Sequence, residues 1–543
     1  MVVLCLVLVL IFSSVYKRRQ FIRFERRKLP ITMSFDEVAV VTNLDHCNEF
    51  ARVLLSEGYS MFAIAFSMQI CLMLSGPHRS GMGGSSAYAY VENAAEGKCT
   101  TLNTFGLDKD NGEVWDEEEE GNLTDTKECF WKKIGKHLND VVAPPGEIIT
   151  LKNFYERIPE EERMQLIALL KLYRDTWPLS SPYQSFIRLN EDAVNLIGTY
   201  DIMINVHRMW LDLIIAAGER GSIQWSSILT ILASNVNPVC KPREGSELFN
   251  KNMEEYWKAI EMEENTEVIR EDQSVCMMKL AREAVPKYST EVDSIAKGSY
   301  YSTLWRNSLT LLNYMESFYN SLSHKFQWKK VNISKMKQSR REKWAKLQKQ
   351  RDWASNMFVI VNRTSQSALA YVGTLGSELG SGAVSGMGFL NDLTEFARAA
   401  SSYGRFENAI HRLLPAIIFS RREGLIKLAY ANTGGGILVS RAIPRLMYAI
   451  IFQGRSVPIE HIMVSPMAFL DTATSSNAGQ IVFLDGIEYT PYFSLTRQRR
   501  IGDTEIDESV AIEYREQGPN QEYRLFGSHA DVTNKNSFPP SGI

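Results

Sequence analysis

The chain has 543 residues and a net charge of −3, with 45% apolar and 10% aromatic side chains. That composition excludes a disordered or collagen-like protein, and the length allows two or more domains or one large core with insertions. Residues 1–32 carry a local +6, from seven bases against one acid, which leaves about −9 on the rest; any nucleic-acid contact must therefore come from a local patch.

The chain opens MVVLCLVLVLIF, and the basic residues Lys17, Arg18, Arg19, Arg23, Arg26, Arg27 and Lys28 follow the apolar run rather than precede it. A cleavable signal has the opposite charge order and a small-residue cleavage site, which is missing here. The order predicts a retained anchor. Val2, Leu4, Leu6, Leu8, Leu10 and Phe12 would meet lipid, Tyr16 the headgroups, and Lys17, Arg18 and Arg19 the cytosolic side. As a helix, residues 1–16 reach roughly 24 Å, short of the ~30 Å hydrocarbon core, so insertion is marginal. The expectation is a single-pass endomembrane protein with its body in the cytosol. Two other readings are an appendage to a chain starting at Met33 and a cleaved leader.

Phe35 to Leu55 reads as a helix, and YSMFAIAFSMQICLMLS (59–75) as a buried one, since Ser60, Ser67 and Gln69 argue against a second membrane span. SGMGGSSAY, the acidic EVWDEEEE (113–120) and PPGE (144–147) mark a loop-rich stretch. The period is then helical to about Leu414: MQLIALLKLYRDTW (164–177), LIGTYDIMINVHRMWLDLIIAAGERG (196–221) and YYSTLWRNSLTLLNYMESFYNSL (300–322). ILVSRAIPRLMYAIIF (437–452) reads as a helix broken at Pro444, and QIVFLDGIEYTPYF (480–493) as a hairpin around Asp485-Gly486. The expected fold is mainly α. A hydrophobic anchor and basic segment (1–32) lead to N-terminal helices (33–75), a loop-rich acidic insertion (76–150), a large helical core (151–420), and a small β-containing C-terminal region with an irregular tail (421–543).

Seven cysteines, at 5, 47, 71, 99, 129, 240 and 276, are odd in number, sparse and never paired as C-x-x-C. They predict neither a disulfide framework nor a zinc site, and fit a reducing cytosol. Sequons at Asn122, Asn332 and Asn362 matter only to a lumenal body.

Catalytic motifs are absent: no H-E-x-x-H, Walker A, G-x-S-x-G or kinase set. In GTLGSELGSGAVSGMG (373–388), Gly380 and Gly382 are followed by Ser385 where a dinucleotide loop needs glycine, so a flexible loop or packing turn is expected. Gly434, Gly435 and Gly436 read as a hinge or turn. His207, His411 and His461 have no acidic or cysteine neighbours in sequence, and Asp116 to Glu120 is a solvated acidic run; no metal or cofactor is expected. The strongest local signal is KFQWKKVNISKMKQSRREKWAKLQKQRDW (325–353), with eleven Lys or Arg, two acids and three tryptophans. Lys329, Lys330, Arg340 and Arg341 can neutralise phosphates while Trp344 stacks on a base. Alternatively, the stretch is a basic solvated helix with Trp344 on its apolar face.

Through NLIGTYDIMINVHRMWLDLIIAAGERGSIQWSSILTILASN (195–235) and LLPAIIFSRREGLIKLAY (413–430), the body from Phe35 to about Leu495 resembles the coat proteins of the partitivirus family. With the apolar amino terminus, the overall plan is similar to domesticated plant proteins of the IAA-leucine-resistant type. The resemblance implies a helical shell domain, self-association, a basic inner surface and no enzymatic activity. It also implies a membrane-associated modulator of metal-ion transport whose partners are a membrane, a metal transporter and a second copy of the chain. The alternative is a self-assembling structural protein that binds RNA through residues 325–351.

Overall fold

A computed structural model describes residues 29–104, 146–178, 180, 184, 200–221, 223–225, 227–228, 263–264, 266–270, 273–277, 355–375, 414–434, 458–463, 468–471, 480–483, 507–517, 522–531 and 538–543. The first stretch holds β1 (Thr32–Phe35), β2 (Val38–Thr42), α1 (Asp45–Ser56), α2 (Met61–Ser75), β3 (Ser85–Val91) and β4 (Cys99–Asn103). Helices α3 (Glu147–Glu156), α4 (Glu160–Tyr173) and α5 (Tyr200–Glu219) follow, then β5 (Glu263–Glu264), β6 (Thr266–Arg270) and β7 (Gln273–Cys276). Next come β8 (Ser355–Asn362), β9 (Ser367–Thr374), β10 (Leu414–Ser420), β11 (Leu425–Gly434) and the short α6 (Ile459–Met463). The chain closes with β12 (Ala468–Asp471), β13 (Gln480–Phe483), β14 (Asp507–Gln517), β15 (Glu522–Asp531) and β16 (Ser541–Gly542).

Among the described residues these strands form two seven-stranded antiparallel sheets and a separate β12–β13 pair. The first sheet runs β1-β15-β14-β11-β10-β7-β6, and the second β16-β2-β8-β9-β3-β4-β5. Side chains alternate along each strand, so one strand feeds two cores. On β8, Met357, Val359 and Val361 enter the core between the sheets, while Phe358 and Ile360 enter the core under the helices. On β9, Ala368, Ala370 and Val372 point to the sheets' shared core, and Leu369 and Tyr371 to the helices. Both faces are covered, which is why β8 and β9 carry near-continuous apolar runs. Helices α1 to α5 contribute to the second core, and α2, apolar on all sides, is buried from Ala63 to Ser75.

The expectation of a mainly α fold is therefore corrected. Where one helix was expected over 35–55, β1 and β2 precede α1, and the expected helical core contains β8, β9 and β10. The stretch 413–430 is a hairpin: Leu414↔Asn432 to Ser420↔Leu425 pair across the turn 421–424, with Gly424 at φ 65°. Short apolar runs do not separate buried strand from buried helix by periodicity, and that ambiguity produced the error.

The expectation of a single-pass membrane protein is corrected as well. No helix among the described residues is long and apolar enough to cross a membrane, and the most apolar one, α2, is buried in protein. The candidate anchor residues Val2, Leu4, Leu6, Leu8, Leu10, Phe12, Tyr16, Lys17, Arg18 and Arg19 lie outside the described residues.

Cysteine usage changes in the same direction. Cys47 is bonded to Cys71, joining α1 to α2, and Cys99 to Cys276, joining β4 of one sheet to β7 of the other. Their Cα–Cα separations, 5.8 and 5.5 Å, lie in the disulfide range. Partners 24 and 177 positions apart give no spacing pattern, so sequence had no means of pairing them. Disulfides are rare in the reducing cytosol, so these two bonds do not fit the cysteine reading made from the sequence.

Candidate functional site

At one end of the sandwich, five parts of the chain converge: the end of β2, the start of β8, the end of β9, the start of β14, and the glycine-rich segment 76–84 between α2 and β3. Ser355 opens β8, an interior strand, and is 3% exposed. The register sets it opposite Thr374 on β9.

Asn43, immediately after β2, holds this corner together. Its Nδ2 donates to the Ser355 carbonyl at 3.1 Å and to Glu508 Oε2 at 2.8 Å, while its Oδ1 accepts from the Met357 N–H at 2.9 Å. One amide thus ties β8 of the second sheet to β14 of the first. Arg79 Nη1 donates to Glu508 Oε1 and Oε2 at 3.1 and 3.0 Å, with both side chains buried. Asn432 Nδ2 donates to the Glu508 carbonyl at 3.0 Å. Three donor contacts meet the Glu508 carboxylate, as a buried charge requires.

The segment 76–84 is buried throughout, unusual for a connection because its backbone polar groups must find partners inside. They do. The Arg79 carbonyl accepts from the Leu375 N–H at 2.7 Å, and the Gly84 carbonyl from the Gly146 and Glu147 N–H groups at 2.8 Å. The Gly81 N–H donates to Glu147 Oε2 at 2.7 Å. Asn356 Nδ2 donates to the Leu72 and Gly76 carbonyls and to Ser80 Oγ, clamping the end of α2. Glycine at 84 is required by close approach: a Cβ there would lie 2.7 Å from the Thr374 carbonyl oxygen and 2.8 Å from Glu147 Oε2.

Electrostatics around the segment follow from burial. Glu147, in the first turn of α3, also accepts from the Tyr371 hydroxyl at 2.5 Å. Burial first, and the Glu147 charge second, push the Tyr371 hydroxyl well above 10.0. Burial, then the neighbouring Arg79, hold His78 well below 6.5, so its imidazole is neutral at physiological pH.

Sequence reasoning missed this site because its members are distant in the chain. Ser355 lies 312 positions from Asn43, and Glu508 lies 429 from Arg79. The one local signal was GPHRSGMGGSS (76–86): a cation among glycines directly after an apolar helix, read as the start of an insertion. Lys329, Lys330, Arg340, Arg341 and Trp344, together with Gly380, Gly382 and Asp116 to Glu120, lie outside the described residues. Gly434 ends β11 opposite Asp507. His207 is buried on α5, close enough that a Cβ on Gly81 would meet its Nε2 at 2.5 Å. Among the described residues no group of His, Cys, Asp and Glu is placed to hold a metal.

No family model and no curated protein matches the sequence. Solved structures do. The chain is similar to a cephalosporin acylase from Bacillus halodurans, at TM-score 0.57 and 10% identity over 93% of this chain and 98% of that one. Two LmbA structures superpose at TM-score 0.48 and 11% identity, over 96% of this chain and all of theirs. At such identity the likeness establishes the fold. That fold, shared with an enzyme, is not the helical body on which the expectation of a non-enzymatic, membrane-bound modulator of metal-ion transport rested, and that expectation is corrected.

Proposed function

We propose that this chain hydrolyses or transfers acyl groups at amide bonds, with the Ser355 hydroxyl as nucleophile. The observation that carries this reading is the place of Ser355. It is a hydroxyl-bearing residue at the head of an interior strand, at the corner where Asn43 and the buried Arg79–Glu508 pair meet. The acylase-like fold adds support, although a fold alone assigns no chemistry.

A serine hydroxyl needs a base, and a residue's own α-amine can serve once it is free. Hydrolysis of the peptide bond between Ala354 and Ser355 would place hydroxyl and amine on one residue. The amine takes the hydroxyl proton as the oxygen attacks the acyl carbon, then passes it to the departing amine of the substrate. Water hydrolyses the resulting ester and regenerates Ser355, while a second amine taking the place of water gives transfer. Asn43 holds the Ser355 carbonyl, and through it the orientation of both groups; the Arg79–Glu508 pair fixes Asn43.

The test is turnover of a panel of N-acyl amides by the purified full chain, with released amine as the readout. Ser355→Ala should lower kcat by at least roughly 10³, the scale on which loss of a nucleophile is felt. Equal turnover in that variant removes the proposal.

A further inference from the structure

Asn362 closes β8 at the end opposite Ser355, roughly 23 Å away at 3.3 Å per residue. With Arg363 and Thr364 it forms an N-x-T sequon, here placed in the turn 363–366 between β8 and β9. Thr364 and Ser365 are exposed and Asn362 is half-buried. The Asn362 amide is oriented through its oxygen, which accepts from the Ser365 N–H at 3.0 Å; the nitrogen is the atom a glycan takes. The turn itself is anchored, because the Arg363 N–H donates to the Glu37 carbonyl at 2.7 Å and Arg363 Nη1 to the Asp36 carbonyl at 3.0 Å.

A sequon is acted on only in the secretory compartment, and an independent observation points there. The Cys47–Cys71 and Cys99–Cys276 bonds form in the same oxidising environment in which N-glycans are attached. We propose that Asn362 carries an N-linked glycan. The donor is an oligosaccharide on a lipid diphosphate. The sugar C1–O bond to the diphosphate breaks, C1 bonds to Asn362 Nδ2, that nitrogen gives up one proton, and the lipid diphosphate departs with the bonding pair. The glycan stands at the far end of the sandwich from Ser355 and leaves the candidate site open. It does not depend on the acyl-transfer reading.

The test is peptide mapping of the full chain made in eukaryotic secretory cells, deglycosylated enzymatically in heavy-oxygen water. The peptide spanning Asn362 should return with aspartate and the heavy-oxygen label at that position. Asn362→Gln and Thr364→Ala should each remove one glycan from the intact protein, and Thr364→Ser, which preserves the sequon, should retain it. Recovery of that peptide with unmodified asparagine overturns the proposal, whether the four paired cysteines are found bonded or as free thiols. Asn122 and Asn332 are read from separate peptides.

Discussion

Arg79 and Glu508 are 2% and 1% exposed, and neither charge could be left alone in that setting. Desolvating an ion pair costs several kcal/mol, which the interior repays only when the remaining hydrogen-bonding capacity is filled; here Asn43 supplies the third donor contact. Arg79→Met or Glu508→Leu alone should each destabilise the chain by about 3–5 kcal/mol, and the double variant should recover most of that loss. Denaturant unfolding reads both quantities, and strictly additive losses would contradict the pairing. Neutral His78 adds a pH dependence of definite sign. Its folded pKa lies below the ordinary 6.5, so its contribution is complete above 6.5 and is lost as the pH falls below it. None of these roles was legible beforehand, because a lone arginine among glycines and a glutamate in a strand carry no sign of each other.

Helix α6 is tied to β14 by a small charge cluster. Arg515 Nη1 and Nη2 donate to Glu460 at 3.1 and 3.0 Å, and Nη1 also to Glu513 Oε2 at 3.1 Å; the guanidinium sits 3.9 Å above the Phe526 ring. Two carboxylates share one cation, and Glu513 is half-buried, at 17% exposure. Burial raises its pKa to about 7 against the ordinary 4.5; the Ile459 N–H and Arg515 act to lower it, and Glu460 to raise it. A folded pKa above the unfolded one makes the protonated form the stabilising one. That stability is complete below pH 4.5 and is lost as the pH rises through 7. Midpoints of urea unfolding across that window should decline less steeply in Glu513→Gln than in the wild type; parallel curves would show that Glu513 is not the group responsible. Legibility at this scale depended on length. Helices α2 and α5 follow from apolar runs of helical length, whereas the β10–β11 hairpin was invisible because seven-residue runs such as LPAIIFS suit either state.

The fold is held by contacts between distant segments, and among the described residues the Cys99–Cys276 bond crosses covalently from sheet to sheet. Closing a loop of 177 residues removes much of the unfolded chain's freedom. Replacing both cysteines by alanine should cost about 2–5 kcal/mol, measured as a lower unfolding midpoint under non-reducing conditions, with the difference shrinking when the parent is reduced. A variant as stable as the parent would mean that the bond does not constrain the folded chain. Architecture at this scale was misread because strands contributed by residues 32 to 542 interleave across both sheets, and pairing between segments hundreds of positions apart leaves no periodic trace. What composition did convey was a globular chain with enough apolar residues for a large core, and two cores are found among the described residues.

Whether Ser355 is an activated nucleophile is read from the peptide masses of the purified full chain after exposure to a fluorophosphonate, which phosphonylates activated serine hydroxyls. The expected result is one adduct, on Ser355, lost when the chain is unfolded first and absent from Ser355→Ala. A folded chain in which Ser355 stays unmodified, or in which the adduct sits on another serine, would contradict it.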